Sequence, residues 1–264
     1  MSEESRMITE LDEHGVLLIT MNRPRKKNAF DDRQWDALAE ALSEADADPR
    51  VAVVVLTGAG GNFSSGADLS GMGEARTEPR SDGHASGFFA CEAKLLAFEK
   101  PLLTAVSGVA VGGGCTIALA SDITYVGHSL RARLPFANLG LVPEIGSSYT
   151  LQASIGRQRA NELMFTAEWI DAERAIELGM AARALPDDEL LGATLAKARE
   201  IAQWPTSALV AIKRTMNEVH KVAIAAALEI EHVEMSKQAG SPENIEAIRA
   251  FIEKRPPDFR QFRK

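Results

Sequence analysis

The chain has 264 residues, 45% of them hydrophobic and 25% charged, the proportions of a soluble globular protein long enough to bury a large core. Its formal net charge of −8 argues against bulk binding to nucleic acid or to an anionic membrane. Only two cysteines occur, Cys91 and Cys115, in unlike contexts, which implies no disulfide framework and fits a reducing compartment.

Residues 7–21 read as a hairpin, M-I-T-E-L and V-L-L-I-T-M joined by a turn at Glu13-His14-Gly15. A basic turn, N-R-P-R-K-K-N, leads into a helix. There Trp35, Leu38, Ala39 and Leu42 recur at helical spacing behind a cap at Asp31 or Asp32. V-A-V-V-V-L-T (51–57) is a buried strand, followed by the glycine-rich loop G-A-G-G-N-F-S-S-G-A-D-L. Residues 71–87 show no period and read as a loop or broken helix. A helix is expected over 88–100, closed by Pro101. L-L-T-A-V-S-G-V-A-V reads as one strand, G-G-G as a loop, C-T-I-A-L-A as a helix and D-I-T-Y-V as the next strand. Strands alternating with helices predict an α/β arrangement with right-handed crossovers. From about residue 157 the pattern is helical throughout. Helices are expected near 207–218, 221–238 and 242–254, the last capped by Ser241 with Pro242 in its first turn.

The polar, acidic start M-S-E-E-S-R does not look like a signal peptide, and the apolar stretch around 101–120 is broken by glycines. A cytoplasmic location with no membrane partner is the expectation. Familiar catalytic signatures fail one by one. N-F-S-S-G has Asn62 where a serine hydrolase's first glycine belongs. Neither glycine loop carries the lysine of a phosphate-binding loop, and the first strand–helix turn lacks a dinucleotide fingerprint. The five histidines show no metal-ligand spacing, so no metal is assigned, and His220 and His232 read as surface or packing residues.

Two features remain. F-S-S-G-A-D-L (63–69) and A-V-G-G-G-C (110–115) each run from an apolar strand through glycines into a helix. Such loops let backbone N–H groups approach a ligand, and two aimed at one point make an oxyanion hole; ordinary tight turns have the same composition. The other feature is Glu144, a single carboxylate within L-G-L-V-P-E-I-G-S-S-Y-T. It reads either as an acid at a helix start or as an acid/base.

M-N-R-P-R-K-K-N-A, T-G-A-G-G-N-F-S-S-G-A-D-L, V-S-G-V-A-V-G-G-G-C-T-I-A-L-A-S-D and F-A-N-L-G-L-V-P-E-I-G-S-S-Y-T together resemble, in order and spacing, the crotonase (enoyl-CoA hydratase/isomerase) superfamily. The resemblance runs from about residue 7 to 255. It implies an α/β crotonase-like spiral of ββα units over residues 1–200 and a helical C-terminal trimerisation block over 201–264. It also implies an acyl-CoA substrate, no separate cofactor, and a homotrimer or dimer of trimers. The amides of Ala67 and Gly113 would form the oxyanion hole for the thioester carbonyl. Ser65, Asp68 and Leu69 would lie by the adenine, and Lys27 and Ala29 along the CoA path. Phe251 and Lys254 match positions that reach the CoA of an adjoining subunit.

Where hydratases of this family carry two glutamates, this sequence has Thr116 and Phe136. Glu144 instead matches the single catalytic glutamate of Δ3,Δ2-enoyl-CoA isomerases with P-E-G-C-S-S-Y-T, although Ile145-Gly146 replaces Gly-Cys. The resemblance thus favours isomerisation. Hydration, another acyl-CoA reaction of the family, and acyl-CoA binding without chemistry remain the alternatives.

Overall fold

Val53, Val54, Val55 and Leu56 are all inaccessible to solvent. Consecutive side chains of a strand point to opposite faces, so a run buried at every position needs cover on both sides of its sheet. The computed structural model, which describes residues 5–69 and 87–263, provides that cover.

The strands are β1 (Met7–Leu11), β2 (Val16–Met21), β3 (Val53–Gly58), β4 (Leu102–Val106), β5 (Val109–Val111), β6 (Ile123–Gly127), β7 (Arg131–Arg133) and β8 (Arg183–Leu185). Six form one sheet in the order β1-β2-β3-β4-β6-β8, antiparallel in the β1–β2 hairpin and parallel elsewhere. A second ladder runs alongside. Phe30 bridges to Ala67, Ser64 to Ala110, β5 pairs with β7, and Ala132 bridges to Ile170. Each turn of chain thus gives one strand to the large sheet and one extended segment to the ladder before its helix begins. This is the ββα spiral expected from the sequence.

The helices are α1 (Asp32–Ala47), α2 (Gly87–Ala97), α3 (Gly113–Ala120), α4 (Ser147–Ile155), α5 (Arg157–Thr166), α6 (Ala172–Leu178), α7 (Asp187–Ala202), α8 (Thr206–Gln238) and α9 (Pro242–Ile252). Leu190 and Ala198 of α7 cover one face of the sheet with Val53, Val55, Leu103 and Ala105. Val54 and Leu56 face the larger core that includes Leu38 and Leu42 of α1 and Leu95 of α2. Asp31 caps α1 by accepting from the Gln34 amide at 2.9 Å. The other end of α1 is closed by buried Lys100, whose Nζ donates to the carbonyls of Ala45 and Asp48 at 2.6 and 2.7 Å.

Several boundaries differ from expectation. The single strand expected over 102–111 is two, because Gly108 at φ 57 turns the chain from the large sheet into the ladder. α2 stops at Ala97, short of Lys100, and α3 starts at Gly113, so the glycine loop is itself the start of the helix. The last third is not wholly helical, since β8 closes the edge of the large sheet, and the short β7 was not anticipated. The two helices expected over 207–218 and 221–238 are one, as no glycine or proline interrupts N-E-V-H-K-V. The loop expected over 71–87 lies outside the described residues, except Gly87, which opens α2.

Candidate active site

The two glycine loops meet because the ladder sets them side by side. Ser64 N–H donates to Val109 O and Val111 N–H donates to Ser64 O, both at 2.9 Å. A β-carbon built on Gly66, at φ 78, would lie 2.4 Å from the Val111 carbonyl oxygen and 3.4 Å from the Gly113 amide nitrogen. Only glycine fits that contact. The bonds that join the next turn use Phe30 N–H to Gly66 O and Asp68 N–H to Phe30 O, both at 2.8 Å, leaving the Ala67 amide on the other side of the strand. Among the described residues, no acceptor takes the N–H of Ala67 or that of Gly113, the first residue of α3. Two unengaged amides in adjoining loops, one at a helix N-terminus, form the donor arrangement that stabilises an oxyanion.

Glu144 faces this point. Its Oε1 lies 3.2 Å from the position a β-carbon on Gly113 would take, and Trp35 Cη2 lies 3.0 Å from the same position. Among the described residues, no hydrogen bond or ion pair reaches the Glu144 carboxylate. Burial, then the charges of Glu92 and Glu231, push its pKa up to about 8. Trp35, which packs at the same spot, stacks on Phe30 with ring centroids 3.9 Å apart and meets Phe88 edge-on at 5.2 Å. An unpaired carboxyl with a pKa near neutrality beside oxyanion donors suits proton transfer at carbon.

The positions that would carry further acids do not. Thr116 is buried and its Oγ1 donates to the Gly113 carbonyl at 3.2 Å. Phe136 is buried and lines a largely apolar cavity of 290 Å³ with Leu141, Pro143, Ser147, Leu151 and Met164. This cavity adjoins the turn that carries Glu144.

The residues expected along the CoA path lie close to these loops. Ser65 N–H donates to Lys27 O at 2.9 Å and Ser65 Oγ to Lys26 O at 3.2 Å. Lys27 is exposed, Ala29 buried, and Asp68 and Leu69 partly exposed. Arg23, counted in the basic cluster, is engaged elsewhere, at 2.8 Å from Asp68 and 3.3 Å from Asp31. Arg25, Lys26 and Lys27 remain exposed. Phe251 and Lys254 are exposed at the far end of α9, which packs on residues 137–139 rather than on the glycine loops.

Two residues next to Glu144 carry no signal that the sequence reading used. Glu92 of α2 is buried, accepts from the Ile145 amide at 3.1 Å, and lies 2.6 Å from His232 Nε2. Glu231 of α8 is buried and accepts from the amides of Gly146 and Ser148, both at 2.8 Å. His232 and His220 are exposed, as expected of surface or packing residues, and each makes one side-chain contact, His232 with buried Glu92 and His220 with Tyr149 at 2.8 Å. The signal for Glu92 was available: a lone acid in F-F-A-C-E-A-K-L-L breaks an apolar run as Glu144 does.

Residues 12–263 match the model of the enoyl-CoA hydratase/isomerase family. The chain belongs to this family. It is 34% identical over 245 residues to the 2,3-dehydroadipyl-CoA hydratase of Escherichia coli K12, covering 93% of this chain and 95% of that one. It is also 34% identical over 250 residues to the 1,2-epoxyphenylacetyl-CoA isomerase of the same organism, covering 94% and 95%. A crystal structure of an enoyl-CoA hydratase/isomerase from Pseudoalteromonas atlantica superposes with a TM-score of 0.90 at 33% identity, covering 96% of this chain and 99% of that one. The chain is thereby shown to be an enzyme of the enoyl-CoA hydratase/isomerase family with the crotonase fold.

Proposed function

We propose that this family member is a Δ3,Δ2-enoyl-CoA isomerase in which Glu144 alone moves the proton. One observation carries the reading: the Glu144 carboxyl lies against Gly113, while Thr116 and Phe136 provide no second acid. The amides of Ala67 and Gly113 hold the thioester oxygen and stabilise the enolate, which acidifies the C2 protons of a 3-enoyl thioester. Glu144 takes one C2 proton, the negative charge delocalises toward C4, and the same carboxyl returns the proton there. The double bond moves into conjugation with no net gain or loss of atoms.

In this reading Lys27, Ala29, Ser65, Asp68 and Leu69 line the CoA, with Arg25 and Lys26 as further cations for its phosphates. The apolar cavity beside Pro143 takes the acyl tail. Phe251 and Lys254 serve a neighbouring subunit of a homotrimer or dimer of trimers. Exposed Ile212, Met216, Val219, Val222, Ile230 and Val233 of α8 support burial against another copy.

The test follows absorbance of the conjugated thioester. Adding 3-hexenoyl-CoA is expected to build the band. Loss of the band from crotonyl-CoA, without a gain from 3-hexenoyl-CoA, would replace isomerisation by hydration. That second reading is supported by the hydratase among the relatives and needs Glu144 to activate water by itself.

A further inference from the structure

Glu144 is carried on a turn that does not favour its own shape. Ile145 has φ 56 and Gly146 φ 68. A β-branched residue in the left-handed region is strained and persists only where its surroundings hold it. Here the holding groups are identifiable. Ser147 N–H closes the turn onto Glu144 O at 3.0 Å. The other three amides leave the turn for two buried carboxylates, Ile145 to Glu92, and Gly146 and Ser148 to Glu231. The carboxylates come from α2 and from near the end of α8, so two distant parts of the chain converge on four residues.

We propose that Glu92 and Glu231 are positioning residues for Glu144, holding the strained turn that sets its carboxyl against Gly113 and placing two negative charges nearby. The role in turnover rests on the proton transfer proposed above. The two acids divide the task. Both oxygens of Glu231 accept N–H groups, and a glutamine could satisfy only one of them. Glu92 accepts one N–H and meets one imidazole nitrogen, which donates or accepts according to tautomer. A glutamine at 92 can keep both contacts and lose only the charge. Glu92→Gln therefore isolates electrostatics, Glu231→Gln removes a charge and an N–H contact together, and Glu231→Asp keeps the charge while changing the reach.

Among the described residues, charged and titratable groups surround Glu144 from several elements. Glu92 on α2 and Glu231 on α8 act on Glu144 directly, raising its proton affinity. His232 on α8 faces Glu92 and offsets part of its charge. Asp36 on α1 acts on Cys91, next to Glu92. His220 on α8 is bonded to Tyr149 on α4.

The experiment titrates Glu144 by NMR in protein labelled with ¹³C at glutamate side chains, its resonance assigned by loss in Glu144→Gln, and measures kcat and KM on 3-hexenoyl-CoA. In Glu92→Gln the Glu144 midpoint is expected to fall by at least about half a pH unit, as removal of a nearby like charge requires. In Glu231→Gln kcat is expected to drop at least about tenfold with KM within about twofold, since a displaced base loses transition-state contact but not binding. If Glu231→Gln does not fold, Glu231→Asp, which keeps the charge and shortens the reach, takes its place. An unmoved midpoint in Glu92→Gln overturns the proposal, and so does an unchanged kcat in the Glu231 variant. The titration needs no substrate. A chain that isomerises nothing while its midpoint moves would lose the proposed reaction and keep the electrostatic link.

Discussion

Oε1 of Glu144 and the Cα of Gly113 face each other so closely that a β-carbon on the glycine would sit 3.2 Å from the carboxylate oxygen. The proposed base and one proposed oxyanion donor therefore address the same small volume. A thioester whose oxygen met the Gly113 amide would present its adjacent carbon to Glu144. Replacing Glu144 with Gln keeps the shape and removes the base. Turnover is expected to fall at least about 10²-fold, with acyl-CoA affinity retained, because a positioned general base contributes roughly 10²–10⁴. Steady-state rates and calorimetric binding on the same preparation check it, and full activity in the variant would remove Glu144 from the mechanism.

Gly66→Ala tests the other half of the site. The added methyl would meet the Val111 carbonyl oxygen at 2.4 Å, and φ 78 disfavours any L side chain. The two loops must separate, which moves the Ala67 and Gly113 amides apart. Loss of one oxyanion donor costs roughly 10²–10³ in kcat. The expected result is a loss of that size in a protein with native far-ultraviolet circular dichroism. A variant with wild-type kcat would show that the loops do not form the oxyanion hole.

The path of the chain was largely legible, since the β1–β2 hairpin, α1 with its Asp31 cap and the strand–glycine–helix units follow from local patterns. Gly66 and Gly113 could be singled out as loop glycines, but only the parallel ladder shows that their backbones touch. Short β7 and β8 were hidden because three-residue strands such as R-A-R and R-A-L carry too little period to register. The continuous α8 was divided without a breaker residue to justify it. The carboxylates around Glu144 escaped for a different reason. Glu92 and Glu231 are 139 residues apart, and the bonds that join them to residues 145–148 are long-range, so no local pattern announces them.

Lys100 offers a test of the scaffold away from the chemistry. Its buried ammonium fills the role of a cap on the C-terminal end of α1, donating to the carbonyl of Ala45, which Pro49 four residues on cannot serve, and to that of Asp48, which also accepts from the Val51 amide at 3.1 Å; burial lowers its pKa. Methionine keeps the length and removes the donors. Lys100→Met is expected to cost about 1–3 kcal/mol, the penalty of leaving the buried Ala45 carbonyl unsatisfied. Urea denaturation reads this directly, and an unchanged midpoint would show that the cap contributes nothing.

Glu144 also makes stability depend on pH, with a sign fixed by its raised pKa. Burial lifts it to about 8 from the ordinary carboxylate value of 4.5. Between those values the folded chain holds a proton that the unfolded chain has released, so stability falls as pH rises through that window. Each unit corresponds to at most about 1.4 kcal/mol. Because Glu144 is partly accessible to solvent, screening reduces the total to something on the order of 1–3 kcal/mol. Glu144→Gln cannot titrate and should match the wild type near pH 5, then melt at a higher temperature near pH 8.5. Glu92, raised by burial as well, contributes with the same sign to both proteins and cancels in the comparison. In the proposed isomerisation the ionised form is the base, so kcat/KM should rise with pH along a limb near 8 as wild-type stability declines. Melting curves that stay parallel from pH 5 to 8.5 would mean that Glu144 is not held in its neutral form.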